Sequence, residues 1–296
     1  MTVYIGRPGA MVALRSPRAN IPAKVVRPAR IRETLGGGRA VDYAPGVLRT
    51  WELSWGALSH DDQALIMEFW AGHRGPGPYA FLDGAERNLL TRNQSATTSV
   101  YNDTSGFSTA GAGETIASSS TTVERGPRVL AWSLPASVTG GILTLNGPNL
   151  DWPGIPCVPG QSYRLQARVR GSGPDGVVDV TAKLRWLNAA GAQVQLDAGS
   201  AVTTSTSAWA DCVKASTVCP AGGVYLQPRF DVAAGTVSAA ATVLIDRLMV
   251  SMPTALDPGT TWVPGLGVAR VSLPQLDHEL PRIDRHNLKI TVTEVA

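Results

Sequence analysis

The sequence predicts a mainly β protein with two sandwich-type β-domains and one short helix. Three observations support this fold class. Residues 49–83 contain two strand-like segments on either side of a single helical pattern. After Val129, strand-like runs separated by turn residues follow one another without a convincing helix. Between these regions, Gln94–Thr122 is dense in Ser, Thr, Gly and Ala, which is typical of a linker or of the shallow first strands of a second domain.

The stretch Arg49–Asn93 shows the clearest local pattern. Its first part alternates apolar with polar residues and predicts a strand with one buried face; the apolar residues are Trp51, Leu53, Trp55 and Ala57. Ser59 then predicts a helix N-cap, followed by acidic residues in the first turn. An apolar stripe at helical spacing follows, formed by Leu65, Ile66, Phe69 and Trp70. Gly72 ends the helix, and a second strand is predicted at Pro78–Leu82.

Length, hydropathy and cysteine content limit the class of protein. With 296 residues, the chain can hold one large domain or two ordinary ones. No apolar run reaches the length of a membrane span, and the N-terminus lacks the apolar core of a secretory signal, so we expect a soluble protein. Three cysteines without zinc spacing predict buried free thiols in a reducing compartment, and the alternative is a Cys212–Cys219 disulfide.

The net charge of +3 is unevenly distributed along the chain. Residues 1–93 hold 12 Lys and Arg against 8 Asp and Glu, whereas residues 94–252 hold 10 of each kind. The excess lies mainly in Arg15–Arg39, where the basic residues stand among prolines and glycines with no aromatic residue nearby. Nucleic-acid binding favours a denser patch with interleaved aromatics. The pattern instead indicates a basic rim that faces solvent or a neighbouring subunit.

Residues that could support catalysis or bind a metal do not form a recognisable set. The four histidines lack the HExxH arrangement, and no GxSxG elbow is present. His278 lies beside Glu279, but neighbours on a strand point to opposite faces. No pair suitable for glycoside cleavage can be chosen from Asp175, Asp179, Asp197, Asp211 and Asp231. Asp246 could bind calcium, but no second ligand is identifiable, and a strand-surface charge is the alternative. We therefore predict no enzymatic activity, no metal and no cofactor.

Seven strand-like runs are predicted in the second domain. They are Val129–Leu134, Ile142–Leu145, Gln161–Arg170, Val177–Leu187, Ala208–Val218, Val224–Val232 and Thr242–Met252. Four features of this region resemble the jelly-roll sandwich of carbohydrate-binding modules: Gly160–Leu165, Leu184–Gly191, a strand with Trp209 followed by Cys219–Leu226, and Leu244–Val250. The resemblance implies a jelly-roll β-sandwich and, as an expectation, contact with a sugar.

Aromatic residues are the candidates for this sugar contact. Trp186 and Trp209 lie inside predicted strands, where tryptophan is a normal core residue. Trp152 lies on a turn and is the first candidate for carbohydrate binding. Tyr225 is the second candidate. Plain packing is the alternative for both.

The last stretch, Pro253–Ala296, is too short to be an independent domain. It contains predicted strands at Val268–Leu273 and Leu288–Val295. The N-terminal segment also has too few strands for the tryptophans that it must bury. We therefore predict a discontinuous domain of residues 1–93 and 253–296, with residues 94–252 inserted as the second domain.

Four segments of the discontinuous domain carry a further resemblance: Thr50–Gly56, Leu58–Leu65, Gly77–Asp83 and Asn88–Leu90 with Asn93. With the closing strand, they resemble minor tail proteins of long-tailed phages (siphoviruses) that infect actinobacteria. The strand–helix–strand unit is similar to the tail-tube-type domain of distal tail proteins. In that family the sandwich follows the ring domain, whereas here it is predicted to be inserted.

The resemblance implies a structural subunit of the virion tail tip that is assembled in the cytoplasm of the bacterial host. It implies a ring, commonly hexameric, that joins the tail tube to the baseplate or receptor-binding parts around the DNA channel. The implied partners are further copies of this chain, the tail tube protein, the tape measure protein and tail hub or baseplate proteins, with DNA only as passing cargo. The alternatives are a host-surface carbohydrate-binding adhesin without a ring-forming role, and a wall-degrading enzyme.

The segment Asn20–Gly38 is the candidate arm for contacts between subunits of such a ring. Its prolines disfavour regular strand pairing, and a repeated heterologous interface is what closes a ring. The ring-interface candidates are Arg27, Arg30, Arg32 and Arg39. An ordinary edge loop is the alternative.

Overall fold

The computed structural model describes residues 2–17, 23–26, 29–33, 39–43, 48–84, 87–98, 102–136, 140–148, 151–233, 239–254, 257–282 and 285–295. Within these ranges the protein is mainly β, which confirms the predicted fold class. The chain forms two compact units. Unit 1 comprises Met1–Gly84 and Ala269–Ala296, and unit 2 comprises Ala85–Val268.

The secondary-structure elements follow in chain order. Unit 1 begins with β1 (Val3–Gly6), β2 (Val12–Leu14), β3 (Ala23–Val26), β4 (Ala29–Glu33), β5 (Arg39–Tyr43), β6 (Leu48–Leu58), α1 (His60–Trp70) and β7 (Tyr79–Asp83). Unit 2 contains α2 (Arg92–Ser95), β8 (Phe107–Thr109), β9 (Thr115–Ser119), β10 (Val129–Leu134), β11 (Gly141–Leu145), β12 (Ile155–Pro156), β13 (Ser162–Ser172), β14 (Asp179–Leu187), β15 (Gln193–Thr203), β16 (Ala210–Val218), β17 (Tyr225–Val232) and β18 (Ala241–Ser251). The strands β19 (Ala269–Arg282) and β20 (Arg285–Glu294) complete unit 1. Neither α1 nor α2 has the length and apolarity that a membrane-crossing helix requires.

Unit 1 is built on a seven-stranded antiparallel sheet with the strand order β2-β1-β7-β19-β20-β6-β3. The C-terminal strands lie inside this sheet, because β19 pairs with β7 and β20 pairs with β6. The strands β4 and β5 form a separate two-stranded sheet. Helix α1 contributes Ile66 and Phe69 to the core of the large sheet. The two chain segments of unit 1 are therefore joined by backbone hydrogen bonds and by one apolar core.

Strand β6 follows the predicted alternation of buried and more exposed side chains as far as Trp55. Trp51, Leu53 and Trp55 are buried. Ala57, which the alternation placed on the buried face, is exposed and has a φ of 56°. The pairing of β6 with β20 shifts in register at this point, so Leu58 becomes the next buried residue. The strand thus ends in a β-bulge that the sequence period does not reveal.

Helix α1 begins where the sequence predicts. Ser59 is its N-cap, and the Ser59 hydroxyl accepts a hydrogen bond of 3.2 Å from the backbone N–H of Asp62. Trp70, which the sequence analysis placed in the apolar stripe, is 44% exposed. Phe69 takes the core-facing position at this end of the helix, where its ring packs edge to face against Tyr79. Adjacent helical residues point about 100° apart, so Trp70 is turned towards solvent.

Unit 2 is a sandwich of two antiparallel sheets. One has the strand order β16-β13-β18-β10-β9, and the other has the order β15-β14-β17-β11-β8, with β12 paired to β17. Strand β13 alternates buried and partly exposed residues over its whole length. Tyr163 from β13 and Trp186 from β14 are fully buried, and their ring centroids lie 5.6 Å apart. The core therefore lies between the inner faces of the two sheets.

All seven strand-like runs predicted in the second domain are present, as β10, β11, β13, β14, β16, β17 and β18. Strand β15 was not predicted, because it is largely exposed and its residues show no alternation of burial. Helix α2 was not predicted either, although Thr91 and Gln94 form a capping box at its start.

The segments that flank the sandwich lie in unit 2 because Asn88 binds them to it. The Asn88 side chain is fully buried, and its amide donates to the carbonyls of Leu248 (3.0 Å) and Val263 (2.8 Å). Its oxygen accepts from the Val250 N–H at 3.2 Å. The structure accordingly divides the chain at Gly84 and Ala269, whereas the sequence analysis placed the division at residues 93 and 253. The Asn88 side chain makes these contacts with segments on both sides of the sandwich. Such contacts from one residue produce no periodic pattern in the sequence, so they could not be predicted from it.

A buried ion pair links the two chain segments of unit 1. Arg49 Nη2 lies 2.9 Å from Glu294 Oε1, and Arg49 Nε lies 3.0 Å from Glu294 Oε2. The two side chains are only 4% and 16% exposed. The bidentate geometry offsets the cost of removing both charges from water.

Glu294→Ala is expected to lower the free energy of unfolding of unit 1 by about 3 kcal/mol, because it leaves the buried Arg49 charge without its carboxylate. Urea unfolding followed by tryptophan fluorescence measures the change. Glu68→Ala is the control, since it breaks the exposed Glu68–Arg74 pair and is expected to cost less than about 1 kcal/mol. Equal losses in the two variants would contradict a special role for the buried pair.

Candidate functional site

A cleft in unit 2 places Trp152 among polar side chains. Its volume is about 600 Å³. The polar residues that line it include Asn93, Asp103, Ser105, Asn146 and Gln227. Asp103 is the single charged residue among the described residues that line the cleft. We call this site the Trp152 cleft.

Helix α2 fixes one wall of the Trp152 cleft. Gln94 is 2% exposed, and its amide donates to the carbonyls of Gly106 and Asn146, each at 2.9 Å. The capping box that begins α2 holds this side chain in place. One buried amide thus joins the helix to the loop before β8 and to the turn after β11.

The side-chain amides of Asn93, Asn146 and Gln227 each use one of their two N–H groups within the protein. Asn93 Nδ2 donates to the Asp103 carbonyl at 2.6 Å, and Asn146 Nδ2 donates to the Ser105 carbonyl at 2.9 Å. Gln227 Nε2 donates to the Pro153 carbonyl at 3.2 Å. In contrast, Asn93 Oδ1 is buried and has no hydrogen-bond partner in the described structure. Asn146 Oδ1 and Gln227 Oε1 already accept hydrogen bonds from Ser108 and Arg185. The capacity that remains at the cleft is therefore a second N–H on each of these amides together with the acceptor sites of the Asp103 carboxylate, and sugar hydroxyls can bind to both kinds of group.

The Asp103 carboxylate is the strongest acceptor at the cleft. It accepts hydrogen bonds from the Ser105 hydroxyl (2.7 Å) and from the Ser105 backbone N–H (2.8 Å). These two bonds lower the pKa of Asp103 below its ordinary value. The side chain is therefore ionised at neutral pH and remains so in mildly acidic solution.

Trp152 forms part of the cleft wall and is 8% exposed. The structure places the other sugar-binding candidate, Tyr225, outside the lining of this cleft. Tyr225 is also 8% exposed, and burial raises the pKa of its phenol. Gln227, two residues further along the same face of β17, is the residue of that strand that reaches the cleft.

Most of the polar residues that line the cleft were not predicted from the sequence. Asn93, Asp103, Asn146 and Gln227 are far apart in the chain. Three of them lie on loops or a helix end, where no periodic pattern points to a shared site. The capping box at Thr91 was the one local signal that could have placed α2 beside them.

Asp246 is buried and its carboxylate is engaged by protein donors. It accepts hydrogen bonds from Thr97 Oγ1 (3.1 Å), the Arg125 N–H (3.0 Å) and the Arg247 N–H (2.7 Å). At 2% exposure it is not the surface charge that the sequence analysis considered. Within the described residues, no cluster of His, Cys, Asp or Glu has the arrangement of a metal site.

The ring-interface candidates lie partly within the described structure. Arg30 and Arg32 on β4 and Arg39 on β5 are exposed. Arg39 lies 3.9 Å from Glu33, so this pair is loose and solvated. Arg27 lies outside the described residues, as do several other positions of the Asn20–Gly38 arm.

Three histidines of unit 1 form a hydrogen-bonded chain that the sequence analysis did not predict. His286 Nδ1 lies 2.9 Å from His278 Nε2, and His286 Nε2 lies 3.0 Å from His60 Nδ1. His286 is 5% exposed, whereas the two outer rings are exposed. They come from α1, β19 and β20, which explains why sequence spacing did not connect them.

The three cysteines are free and buried. Cys219 Sγ lies 3.5 Å from Cys157 Sγ, whereas Cys212 lies elsewhere in the core near the Val180 carbonyl. The structure therefore does not pair Cys212 with Cys219. Burial raises the pKa of Cys212 to about 12. Contact with the Cys219 thiol and burial raise the pKa of Cys157.

No protein-family model and no curated protein matches the sequence. Among solved structures, the chain is similar to the enzymatically active domain of tailspike protein 4 of bacteriophage CBA120. The identity is 15% and the TM-score 0.41, over 56% of this chain and 21% of that chain. It is also similar to the CBM22-1 xylan-binding domain of Paenibacillus barcinonensis Xyn10C, with 14% identity and a TM-score of 0.43, over 58% of this chain and 97% of that domain. For the C-terminal family 22 carbohydrate-binding module of Clostridium thermocellum Xyn10B, the values are 13%, 0.42, 57% and 97%.

The native thiols are expected to react slowly with an aromatic disulfide reagent at pH 8. Burial blocks access to all three, and the raised pKa values of Cys157 and Cys212 keep these two thiols protonated. Absorbance at the wavelength of the released thiolate measures the rate, and addition of urea is expected to expose all three thiols at once. Rapid release in the native protein would contradict the burial.

Proposed function

We propose that this protein is a structural subunit of a phage tail tip whose sandwich unit binds a host-surface polysaccharide. The observation that carries the binding role is the Trp152 cleft, which combines a tryptophan side chain with amide donors and a carboxylate that have unused hydrogen-bond capacity. Sugar hydroxyls donate hydrogen bonds, and the apolar face of a sugar ring contacts aromatic carbon. The cleft offers hydrogen-bonding groups for the hydroxyls and aromatic carbon for the ring face.

The shape of the Trp152 cleft favours a segment of polymer over a deeply enclosed monosaccharide. Its polar side chains are held by hydrogen bonds to backbone carbonyls, so binding does not have to order them. A volume of about 600 Å³ is within the range of small-molecule sites. With Asp103 as its single charged lining residue, the cleft is suited to an uncharged stretch of glycan.

Asp103→Asn is expected to weaken glycan binding about tenfold or more, because a hydrogen bond to a charged acceptor contributes roughly 1.5–3 kcal/mol. The probes are xylan, arabinogalactan and dextran, tested by affinity electrophoresis in native gels. Asp179→Asn is the matched control, since Asp179 is a carboxylate on β14 that does not line the cleft. Migration that is unaffected by all three neutral polymers, or equal retardation of wild type and Asp103→Asn, would contradict the proposed role of the cleft.

The pH dependence of this binding is expected to follow the ionisation of Asp103. Because its pKa is lowered, the charged acceptor is present at neutral pH and is lost only as the pH falls through that lowered value. Affinity measured in wild type should therefore be constant from pH 7 down to about pH 5. A loss of affinity centred above pH 5 would point to a different group.

The ring-forming role is supported by the edge of the large sheet in unit 1. Strand β3 is an edge strand, and Val25 and Val26 on it are 47% and 43% exposed. Leu48 on the neighbouring strand is 39% exposed. No further strand pairs with β3 among the described residues. Apolar residues along such an edge favour pairing with another chain, and a repeated contact of this kind closes a ring. The partners of the ring would be the tail tube, tape measure and tail hub or baseplate proteins, with DNA passing through the channel.

The combined variant Val26→Lys and Leu48→Lys is expected to abolish self-association. These two residues lie opposite each other in the β3–β6 register, so both charges appear on the same face. Native mass spectrometry with negative-stain imaging measures the number of copies in the assembly. The wild-type chain is expected to form a closed ring, commonly of six copies. Val194→Lys is the control, because Val194 is an equally exposed valine on β15 of unit 2. A wild-type monomer at every concentration would favour the alternative, an adhesin without a ring-forming role.

A further inference from the structure

The outer face of the β16-β13-β18-β10-β9 sheet carries a second site that is chemically unlike the Trp152 cleft. Arg164, Gln166 and Arg168 follow one another on the outward face of β13. They line a groove of about 440 Å³ together with Arg247 and Trp262. We call this site the arginine groove.

A β-bulge directs Arg247 into this groove. The pairing of β18 with β13 shifts in register between Gln166 and Arg168, opposite the position where Arg247 is inserted. Arg247 has a φ of 50°, a left-handed backbone conformation that is unfavourable for a residue other than glycine. The buried Asp246 carboxylate accepts the Arg247 N–H at 2.7 Å and thereby holds the bulge. Bulges of this kind turn a side chain away from the regular pattern, and backbone strain is frequent at binding sites.

The guanidinium groups of the groove are unequally neutralised. Arg168 contacts Glu124 at 3.1 Å and Asp211 at 3.0 Å, so its charge is balanced by two carboxylates. Arg247 Nε lies 3.5 Å from Glu124, is buried and makes no hydrogen bond in the described structure. Among the described residues, Arg164 donates only to the neutral Gln166 side chain, at 3.3 Å. Donor capacity for an anion therefore remains at Arg164 and Arg247.

Trp262 forms the opposite side of the groove. Its indole N–H donates to the Leu248 carbonyl at 3.1 Å, and the chain just before it is held by a hydrogen bond from Gln166 to the Thr260 carbonyl at 3.0 Å. The guanidinium of Arg125 lies 5.1 Å from the centroid of the Trp262 ring. The groove thus combines a fixed, partly exposed aromatic ring with two arginines, Arg164 and Arg247, that keep donor capacity.

We propose that the arginine groove binds the carboxylate or phosphate group of an anionic polysaccharide, with Arg164 and Arg247 as its ligands for the anion. Guanidinium groups recognise both oxyanions through paired N–H donors. Trp262 supplies apolar contact for the adjoining sugar ring. This inference goes beyond the neutral Trp152 cleft and does not depend on it.

A polysaccharide is favoured over a nucleic acid by the charge of the groove. Three arginines line the groove, and the carboxylates of Glu124 and Asp211 lie against two of them, so the local excess of positive charge is small. Nucleic-acid binding draws on many phosphate contacts and on several stacking aromatics. The described groove has one aromatic ring and two arginines with donor capacity, which suits an isolated anionic group on a neutral chain.

Isothermal titration of the full chain at low salt tests the proposal with four probes: polygalacturonate, poly(glycerol phosphate), dextran and single-stranded DNA. Binding of at least one of the two anionic backbones is expected, and the pair distinguishes carboxylate from phosphate. Arg164→Gln is expected to weaken this binding tenfold or more. Arg170→Gln is the matched control, because Arg170 is on the same face of β13 but donates to the Thr206 carbonyl outside the groove. Equal losses of affinity in both variants would show that the effect comes from net charge alone, and this result would overturn the proposal.

Arg247→Gly separates a binding role of Arg247 from a structural one. Glycine accepts the left-handed backbone without strain, so the variant is expected to keep or raise the melting temperature while it loses tenfold or more in affinity. A lower melting temperature, or unchanged affinity, would overturn the place of Arg247 in the site.

Two further outcomes are decisive. Binding of neither anionic polysaccharide, or tighter binding of single-stranded DNA than of both, would overturn the ligand class. Asp103→Asn is expected to leave titrations with the anionic probes unchanged, so failure of the Trp152 cleft and failure of the arginine groove are distinguishable.

Discussion

The alternation of side chains along β13 is the constraint on which unit 2 depends. One face of the strand supplies Tyr163 and its neighbours to the core, where they meet Trp186 of the opposite sheet. The other face carries Arg164 and Arg168 in the arginine groove. Because the side-chain period of a strand is two, a slip of one residue would bury the guanidinium groups and expose Tyr163. The desolvation of unpaired charge forbids that slip, so core and groove are fixed by one register.

Asp246 is a buried charge whose hydrogen bonds stabilise the geometry of the same sheet. A carboxylate that is 2% exposed needs donors, and it obtains them from Thr97, Arg125 and Arg247. Each hydrogen bond to a charged group contributes roughly 1.5–3 kcal/mol, which is enough to offset the left-handed backbone at Arg247. The bulge is therefore stabilised from inside the protein, and the orientation of Arg247 does not require a ligand to be present.

The sequence predicts those parts of the fold in which burial has a period. The β6–α1–β7 unit and the inner strands of the sandwich follow from alternating apolar residues, the N-cap at Ser59 and the turn at Gly72. Features that depend on strand register, such as β-bulges, produce no periodic pattern in the sequence. Ala57 and Arg247 lie at bulges, and both side chains leave the pattern that their neighbours follow. The largely exposed β15 escaped prediction for the related reason that neither face of it is buried.

Site residues were harder to predict than the core because the fold assembles them from distant segments. Trp152 stands out in the sequence as a tryptophan on a turn, but its partners Asn93, Asp103 and Gln227 are separated from it by long stretches of chain. The histidine chain His60, His278 and His286 is a further example, since it forms only when β20 pairs between β19 and β6. Polar residues in loops have many structural uses, so their identity alone does not indicate which of them will meet.

Under the proposed function, unit 2 would use two sites with different preferences. The Trp152 cleft would take hydroxyl groups, and the arginine groove would offer cationic donors to an isolated anion. Each site is proposed to bind a polymer segment weakly. Bacterial surface polysaccharides repeat their units many times, and a second site on the same chain converts weak contacts into intramolecular ones. Self-association through the β3 edge would multiply both sites again. On this reasoning, selectivity for a surface arises from the spacing of neutral and anionic units along the glycan, and it does not require high affinity at either site.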